Sequence, residues 1–421
     1  MSTPFDVAVV GAGYVGIPHA VTFAEAGSSV VIVDVVPALV DALNRGESHI
    51  EDVPSERLRP LVEAGKLRAT TDYAEVAECD AIVIAVPTPL SRQREPDLSI
   101  VESAARSLAS VLRKGQLVVL ESTTWPGTTR EVLLPILEEG SGLKAGAGFH
   151  LAMSPERVDP GREDWTTKTT PKVVGGITPA CTERAAELYE RAIDSVHRVS
   201  TPEAAELTKL LENTFRAVNI ALVNELAVLC DRMGIDIWEV VDAAATKPFG
   251  FMRFSPGPGL GGHCIPVDPF YLTWKAREFG FHTEFIELAG KVNEEMPYFC
   301  RSLISQALNH GAQKAMKGSR ILVLGVAYKP NIGDMRESPA LKIISLLRNA
   351  GADVSFHDPH VARVDDLECA AYEPGAYDCV VIVTDHADID YDALVDEAKL
   401  VVDLRNATGA KGTAAENVFK L

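Results

Sequence analysis

Over the first 199 residues the hydrophobic positions fall in short β-branched runs, Val7 to Val10, Val30 to Val33, Ala81 to Val86 and Leu117 to Leu120, separated by amphipathic stretches of helix length. Alternating strands and helices predict a doubly wound parallel sheet. From Pro202 the pattern changes, with apolar residues at 207, 211, 215, 218, 222, 226, 229 and 233. This three-four repeat predicts one long helix. At about 1.5 Å per residue it spans roughly 40 Å, enough to join two domains and leave a flank for self-association. A Gly- and Pro-rich stretch, Ser255-Pro-Gly-Pro-Gly-Leu-Gly-Gly262, interrupts the chain before helical pattern resumes towards Ala307. Beyond the polar link Gln313 to Gly318, strand-like runs return at Ile321 to Val326, Asp353 to His357, Cys379 to Thr384 and Leu400 to Leu404.

The first run leads into Gly11-Ala-Gly13-Tyr14-Val15-Gly16, which opens a helix ending near Gly27. In that context Gly11 permits a tight turn, Gly13 lets backbone approach a pyrophosphate, and Gly16 allows close helix-strand packing. Asp34 ends the next strand, where its carboxylate can accept hydrogen bonds from both ribose hydroxyls. A 2'-phosphate would meet that charge, and neither Val35 nor Val36 supplies a cation, so the expected cofactor is NAD rather than NADP. The fold reading is therefore α/β, with two Rossmann-like doubly wound domains. Residues 1–199 form the NAD-binding domain and 313–421 the second; a helical middle domain, 200–312, contains the long helix and the glycine-rich loop.

Composition narrows the partners. The chain has 421 residues, with 59 acidic against 40 basic side chains and a net charge of -19, which repels phosphate backbones and anionic membranes. Neither nucleic acid nor membrane is an expected partner, and nowhere do eighteen apolar residues run together. The N-terminus lacks a basic leader, and the seven cysteines are scattered without CxxC spacing. This pattern favours a reducing cytoplasm and indicates neither a disulfide framework nor a metal centre.

One cysteine stands apart. Cys264 follows Gly261-Gly262-His263 and precedes Asp268 by four residues, in a glycine frame that argues against burial. A thiolate beside NAD makes chemical sense, because it can capture an aldehyde as a thiohemiacetal that yields a second hydride and becomes a thioester.

These residues resemble the UDP-glucose/GDP-mannose dehydrogenase family, the nucleotide-sugar 6-dehydrogenases, over essentially the whole chain. The markers are the GAGYVG turn, Val86-Pro-Thr88-Pro89, Met153-Ser-Pro-Glu156-Arg157, Glu206-Leu-Thr-Lys209-Leu-Leu-Glu-Asn213, Gly261-Gly-His-Cys264, and Gly325-Val-Ala-Tyr-Lys329 with Arg336-Glu-Ser338. The resemblance implies Cys264 as nucleophile. It places Lys209 and Asn213, one helical turn apart, on the C6 oxygen. Lys209 acts there either as a base or through its charge. Glu156 would steer water or a proton during thioester hydrolysis, Asp268 would hold a water or pair with Lys209, and Thr123 would sit beside the catalytic water. Thr88, Thr123 and Arg336 join the glycine motif as cofactor residues, and Arg157, Gly261 and Lys329 join Glu156, Lys209 and Asn213 as substrate residues.

Around the nucleophile, His263 and Val267 depart from the UDP-glucose branch. The block Thr246-Lys-Pro-Phe-Gly-Phe through Trp274 looks like the branch acting on UDP-N-acetylhexosamines, most of all UDP-N-acetylglucosamine, and the glycine-rich floor is expected to leave space near the sugar. The expected activity is a four-electron oxidation at C6 by a homodimer. UDP-N-acetylmannosamine and UDP-glucose are the rival substrates. A hydroxyacid dehydrogenase would need no thiol, and a non-catalytic nucleotide-sugar sensor would be expected to lose Cys264, Lys209 or Asn213.

Overall fold

The computed structural model describes residues 6–91, 95–158, 164–262 and 265–421. They pack as two compact units, one reaching Glu212 and including Trp274–Phe281, the other formed by Asn213–Thr273 and His282–Leu421. Cys264 and His263 lie outside the described residues.

The first unit is built on eight strands: β1 (Val7–Val10), β2 (Val30–Val33), β3 (Leu67–Thr70), β4 (Ala81–Ile84), β5 (Leu117–Leu120), β6 (His150–Met153), β7 (Lys172–Gly176) and β8 (Val196–Arg198). Their order in the sheet is β3-β2-β1-β4-β5-β6-β7-β8. All pairings are parallel except β6 with β7. Strands β1, β2, β4 and β5 are buried along their whole length, as expected of a sheet covered by helices on both faces. The direction of winding reverses between β1 and β4, so the ends of these strands open a crevice of the kind that binds dinucleotides.

In the second unit β9 (Arg320–Leu324), β10 (Asp353–His357), β13 (Cys379–Ile382), β14 (Val401–Asp403) and β15 (Val418–Lys420) form a parallel sheet in the order β10-β9-β13-β14-β15, and β11 (Arg363–Val364) pairs with β12 (Leu367–Glu368) in a small hairpin. Winding again reverses beside the first strand, between β9 and β13. Helices Glu284–Gly311 and Pro339–Asn349 supply much of this unit's core through Cys300, Ile304, Leu308, Ile343 and Leu347.

The long helix runs from Pro202 to Met233. Its inward positions are mostly small or polar: Asn213, Ala217, Ala221, Asn224, Ala227 and Cys230 are buried, with Leu210 and Val223 the larger apolar residues among them. The larger apolar residues of the three-four repeat point the other way. Leu211 is 64% exposed, Leu222 54% and Met233 60%, with Leu207, Phe215, Leu226 and Leu229 also exposed. Among the described residues, no helix is long and apolar enough to cross a membrane.

Candidate active site

The turn after β1 has the geometry a dinucleotide needs. Gly11 adopts φ 104°, its N–H donates to Val33 O, and a Cβ added there would lie 2.5 Å from Ala85 O at the end of β4. A Cβ on Gly16 would lie 1.9 Å from Gly11 O, so helix Gly16–Glu25 seats against the turn only because that residue is glycine. Gly13 is different: a Cβ there meets no protein atom within 4 Å. The space beside it is open for a ligand rather than filled by the fold, which fits a pyrophosphate over bare backbone. Asp34 organises the rim, accepting the N–H of Ala12 on Oδ2 (2.8 Å) and of Val36 on Oδ1 (3.0 Å). Each oxygen keeps a lone pair for a ribose hydroxyl. Val35 and Tyr14 are exposed beside it, and Val15 forms the N-cap of the helix.

The loop after β5 carries Thr123. Lys209, only 8% exposed on the long helix, donates from Nζ to Thr123 Oγ1. The hydroxyl of Thr88 donates to Thr123 O at 2.7 Å, tying the loop after β4 to the same residue. It is Thr123 and not Thr124 that meets the lysine; Thr124 Oγ1 is buried with no hydrogen-bond partner. In the second unit Asn213 donates from Nδ2 to Asp268 Oδ2 at 2.6 Å, both side chains being buried, and Asp268 opens the helix Asp268–Ala276.

Glu156 has a setting that sequence reasoning did not anticipate. Its Oε1 accepts the N–H groups of Arg157 and Val158, and its Oε2 accepts from Lys172 Nζ at 2.9 Å and lies 3.0 Å from His19 Nε2. The Lys172 ammonium also lies 3.0 Å from Glu121 Oε1, which accepts the Tyr189 hydroxyl at 2.6 Å. Burial alone would raise the Glu156 pKa, but Lys172 and His19 outweigh it and hold the carboxyl well below the usual range. Burial likewise opposes the charges of Lys172 and His19, and Glu121 with Glu156 raises both. His19, Glu121 and Glu156 are metal-ligating types with ligand atoms within 4.8 Å of one another. The Lys172 ammonium occupies their point of convergence and supplies the positive charge that their carboxylates require. Arg157 leans away from this cluster and grips Glu212, with Nη2 to Oε1 at 2.6 Å and Nε to Oε2 at 3.1 Å.

The glycine-rich loop corrects one expectation. Its glycines do not leave a hollow: a Cβ on Gly257 would lie 2.7 Å from Arg405 Nη1, on Gly261 2.6 Å from Tyr328 Cβ, and on Gly262 2.9 Å from the Tyr328 ring. They are glycines because residues of the second unit pack flush against the backbone. The Gly262 N–H donates to Arg336 O at 2.9 Å, while the Arg336 guanidinium is forked onto Asp334. Lys329 lies half-buried on the loop after β9.

Sequence reading passed over His19, Glu121, Lys172 and Tyr189, and gave Glu206 no role beyond its place in the marker around Lys209. A histidine inside the apolar run Gly16 to Ala24, and single charges bordering the strands β5 and β7, were the available signals. Charges at strand ends ordinarily face water, which is why these read as surface.

Models of one family match three successive stretches of the chain. These are the NAD binding domain of the UDP-glucose/GDP-mannose dehydrogenase family over residues 5–193, its central domain over 203–295, and its UDP binding domain over 322–410. A UDP-N-acetyl-D-mannosamine dehydrogenase from Pyrococcus horikoshii is 38% identical over 407 residues, covering 95% of each chain. A UDP-N-acetyl-D-glucosamine 6-dehydrogenase from Pseudomonas aeruginosa is 37% identical over 390 residues, covering 91% of this chain and 90% of the other. The solved structure of the Pyrococcus UDP-D-ManNAc dehydrogenase superposes with a TM-score of 0.90 at 35% identity, over 99% of this chain and 98% of that one. With a dinucleotide cradle in its first sheet, three family domains in order and relatives matched nearly end to end, this chain belongs to the UDP-glucose/GDP-mannose dehydrogenase family.

Proposed function

We propose that this NAD-dependent nucleotide-sugar dehydrogenase oxidises C6 of a UDP-N-acetylhexosamine from alcohol to carboxylate. UDP-N-acetylglucosamine is the first candidate substrate. The observation that carries the reading is the buried Lys209, hydrogen-bonded to Thr123 on the loop after β5, in the unit whose β1 turn forms the cradle. An ammonium held on a hydroxyl in a place poor in water is suited to an alkoxide or oxyanion at C6. Bound NAD supplies the hydride acceptor, once for the alcohol and once for the thiohemiacetal. Between those steps the Cys264 thiolate adds to the aldehyde carbon. The resulting thioester is then hydrolysed, releasing the carboxylate and restoring the thiol. Asn213, oriented by Asp268, supplies an amide donor to the same oxygen. Glu156, as an ionised acceptor, holds the backbone of Arg157 and Val158 while Lys172 and His19 balance its charge.

The relatives differ at the C2 substituent, and this is where the second reading arises: the Pyrococcus enzyme is named for UDP-N-acetyl-D-mannosamine. Measuring NADH release across UDP-N-acetylglucosamine, UDP-N-acetylmannosamine, UDP-glucose and GDP-mannose tests the assignment. Two NADH per sugar, with an N-acetylated UDP-sugar preferred, is the expected result. One NADH per sugar removes the thioester route, and a preference for UDP-glucose removes the N-acetyl branch. We further infer that two copies associate through the exposed apolar stripe from Leu207 to Met233, because that much apolar side chain along one helix is characteristic of a covered face.

A further inference from the structure

Glu206 lies one helical turn before Lys209, and only 1% of it is exposed. Both of its oxygens are engaged by the loop that carries Thr123. Oε2 accepts the N–H of Gly127 at 2.6 Å, and Oε1 accepts the N–H and hydroxyl of Thr129 at 2.8 and 2.7 Å. Between these grips the chain turns tightly, with the N–H and hydroxyl of Thr128 both donating to Trp125 O. The segment Thr123 to Thr129 is thus held to the long helix at both ends, by Lys209 at its start and by Glu206 at its finish. A carboxylate is a costly residue to bury, and three donors on two oxygens are what make it tolerable here.

We propose that Glu206 is a positioning residue for the oxidation, fixing the Thr123 loop so that the Thr123 hydroxyl meets the Lys209 ammonium. The inference rests on the role given to Lys209 above. Its physical content is that Lys209 has a flexible four-carbon stem, so its aim is set by its partner, and its partner is set by Glu206. Gly127 and Thr129 are the points at which Glu206 holds the loop. A purely architectural carboxyl would act on stability alone, whereas a positioning one acts on turnover through Thr123.

The test is a mutant cycle in the full-length protein. In Glu206→Gln the amide nitrogen faces an N–H donor, so one of the two grips fails while the side-chain volume is kept. The expected result is a kcat lower by about tenfold with KM for NAD unchanged, the loss typical of small misplacement. In a Thr123→Val background the same change should lower kcat by less than about twofold further, because the group being positioned is already gone. Trp125, packed at a tilt against Trp274 with ring centroids 4.6 Å apart, provides a spectroscopic signal from the same loop, and its near-ultraviolet dichroism should change in Glu206→Gln. Wild-type kcat in Glu206→Gln, or losses that multiply fully with Thr123→Val, would overturn the proposal. Lys209→Ala separates the two readings. If it keeps wild-type kcat, the role of Lys209 is wrong; if it collapses while Glu206→Gln does not, only the inference about Glu206 fails. Should Glu206→Gln not fold, Thr129→Val removes one of the three donors, and a kcat reduced about two- to threefold is then expected, an unchanged kcat refuting the idea.

Discussion

Burial pushes the Glu206 carboxyl up to about 7, against the hydrogen bonds from Gly127 and Thr129 that favour its charge. Glu203, one turn earlier on the helix, adds repulsion and is itself paired with Arg130 at 2.6 Å. On the facing loop the Glu131 carboxylate, beside Gly127, is bound by Lys275. A carboxyl whose folded pKa exceeds its unfolded value keeps its proton longer in the fold. The stability it contributes is complete below about 4.5 and is lost as pH rises towards 7, at about 1.4 kcal/mol per pH unit. Glu206→Gln lacks this slope. Denaturant melts at pH 5 and pH 7.5 should therefore show the variant gaining on wild type by about 2–3 kcal/mol, and parallel curves would contradict the assignment. Asp34 makes a separate prediction: NAD should be preferred to NADP by more than about tenfold in kcat/KM, since a 2'-phosphate would face its carboxylate. Similar values for the two cofactors would show that Asp34 does not read the ribose. Asp34 was legible in the sequence because a strand-turn-helix glycine pattern fixes where the next strand must end. Glu206 was not, because its partners lie 77 and 79 residues away and no local pattern announces them.

Among the elements, the buried cluster joins four pieces of the first unit: His19 on helix Gly16–Glu25, Glu121 after β5, Glu156 after β6, and Lys172 at the start of β7. Removing its central cation leaves two buried carboxylates with only His19 to offset them. Lys172→Met should destabilise the unit by about 3–5 kcal/mol, and adding Glu156→Gln should restore part of the loss. Equilibrium unfolding of the three proteins measures this, and a loss under about 1 kcal/mol for the single variant would mean that solvent reaches the cluster. In the first unit the strands that the sequence revealed are the fully buried ones, β1, β2, β4 and β5, whose β-branched runs have no polar alternation to obscure them. Strand β3 mixes buried and exposed positions, and β7 combines a buried lysine with two glycines, so neither reads as a strand on its own. The long helix was legible to its last residue, because a repeat of three and four is unambiguous over 32 residues. The inward face was less so: alanines and asparagines signal close packing more weakly than leucines do.

At the scale of the molecule, the outward stripe of the long helix predicts a dimer at micromolar concentration, checked by light scattering. Replacing Leu222 and Leu226 by glutamate should yield monomers, and a monomeric wild type would remove the idea. The two sheets also invite comparison. In each, a glycine of positive φ ends the first strand, Gly11 against Ala85 O and Gly325 against Thr384 O, and an acid ends the neighbouring strand, Asp34 or Asp358. The resemblance stops there. Asp358 Oδ2 is taken up by the N–H groups of Val326 and Ala327 and by His386 Nε2, Ala327 stands where Gly13 stands, and Pro330 stands where Gly16 stands. The second turn has neither bare backbone for a pyrophosphate nor an acid at liberty for a ribose. Among the described residues, only the first unit carries the full dinucleotide cradle, so a calorimetric titration should end at one equivalent of NAD per chain. If the proposed four-electron route holds, two hydrides leaving through a single berth would impose a schedule: the protein would have to keep the half-oxidised sugar for as long as one cofactor takes to be exchanged for the next.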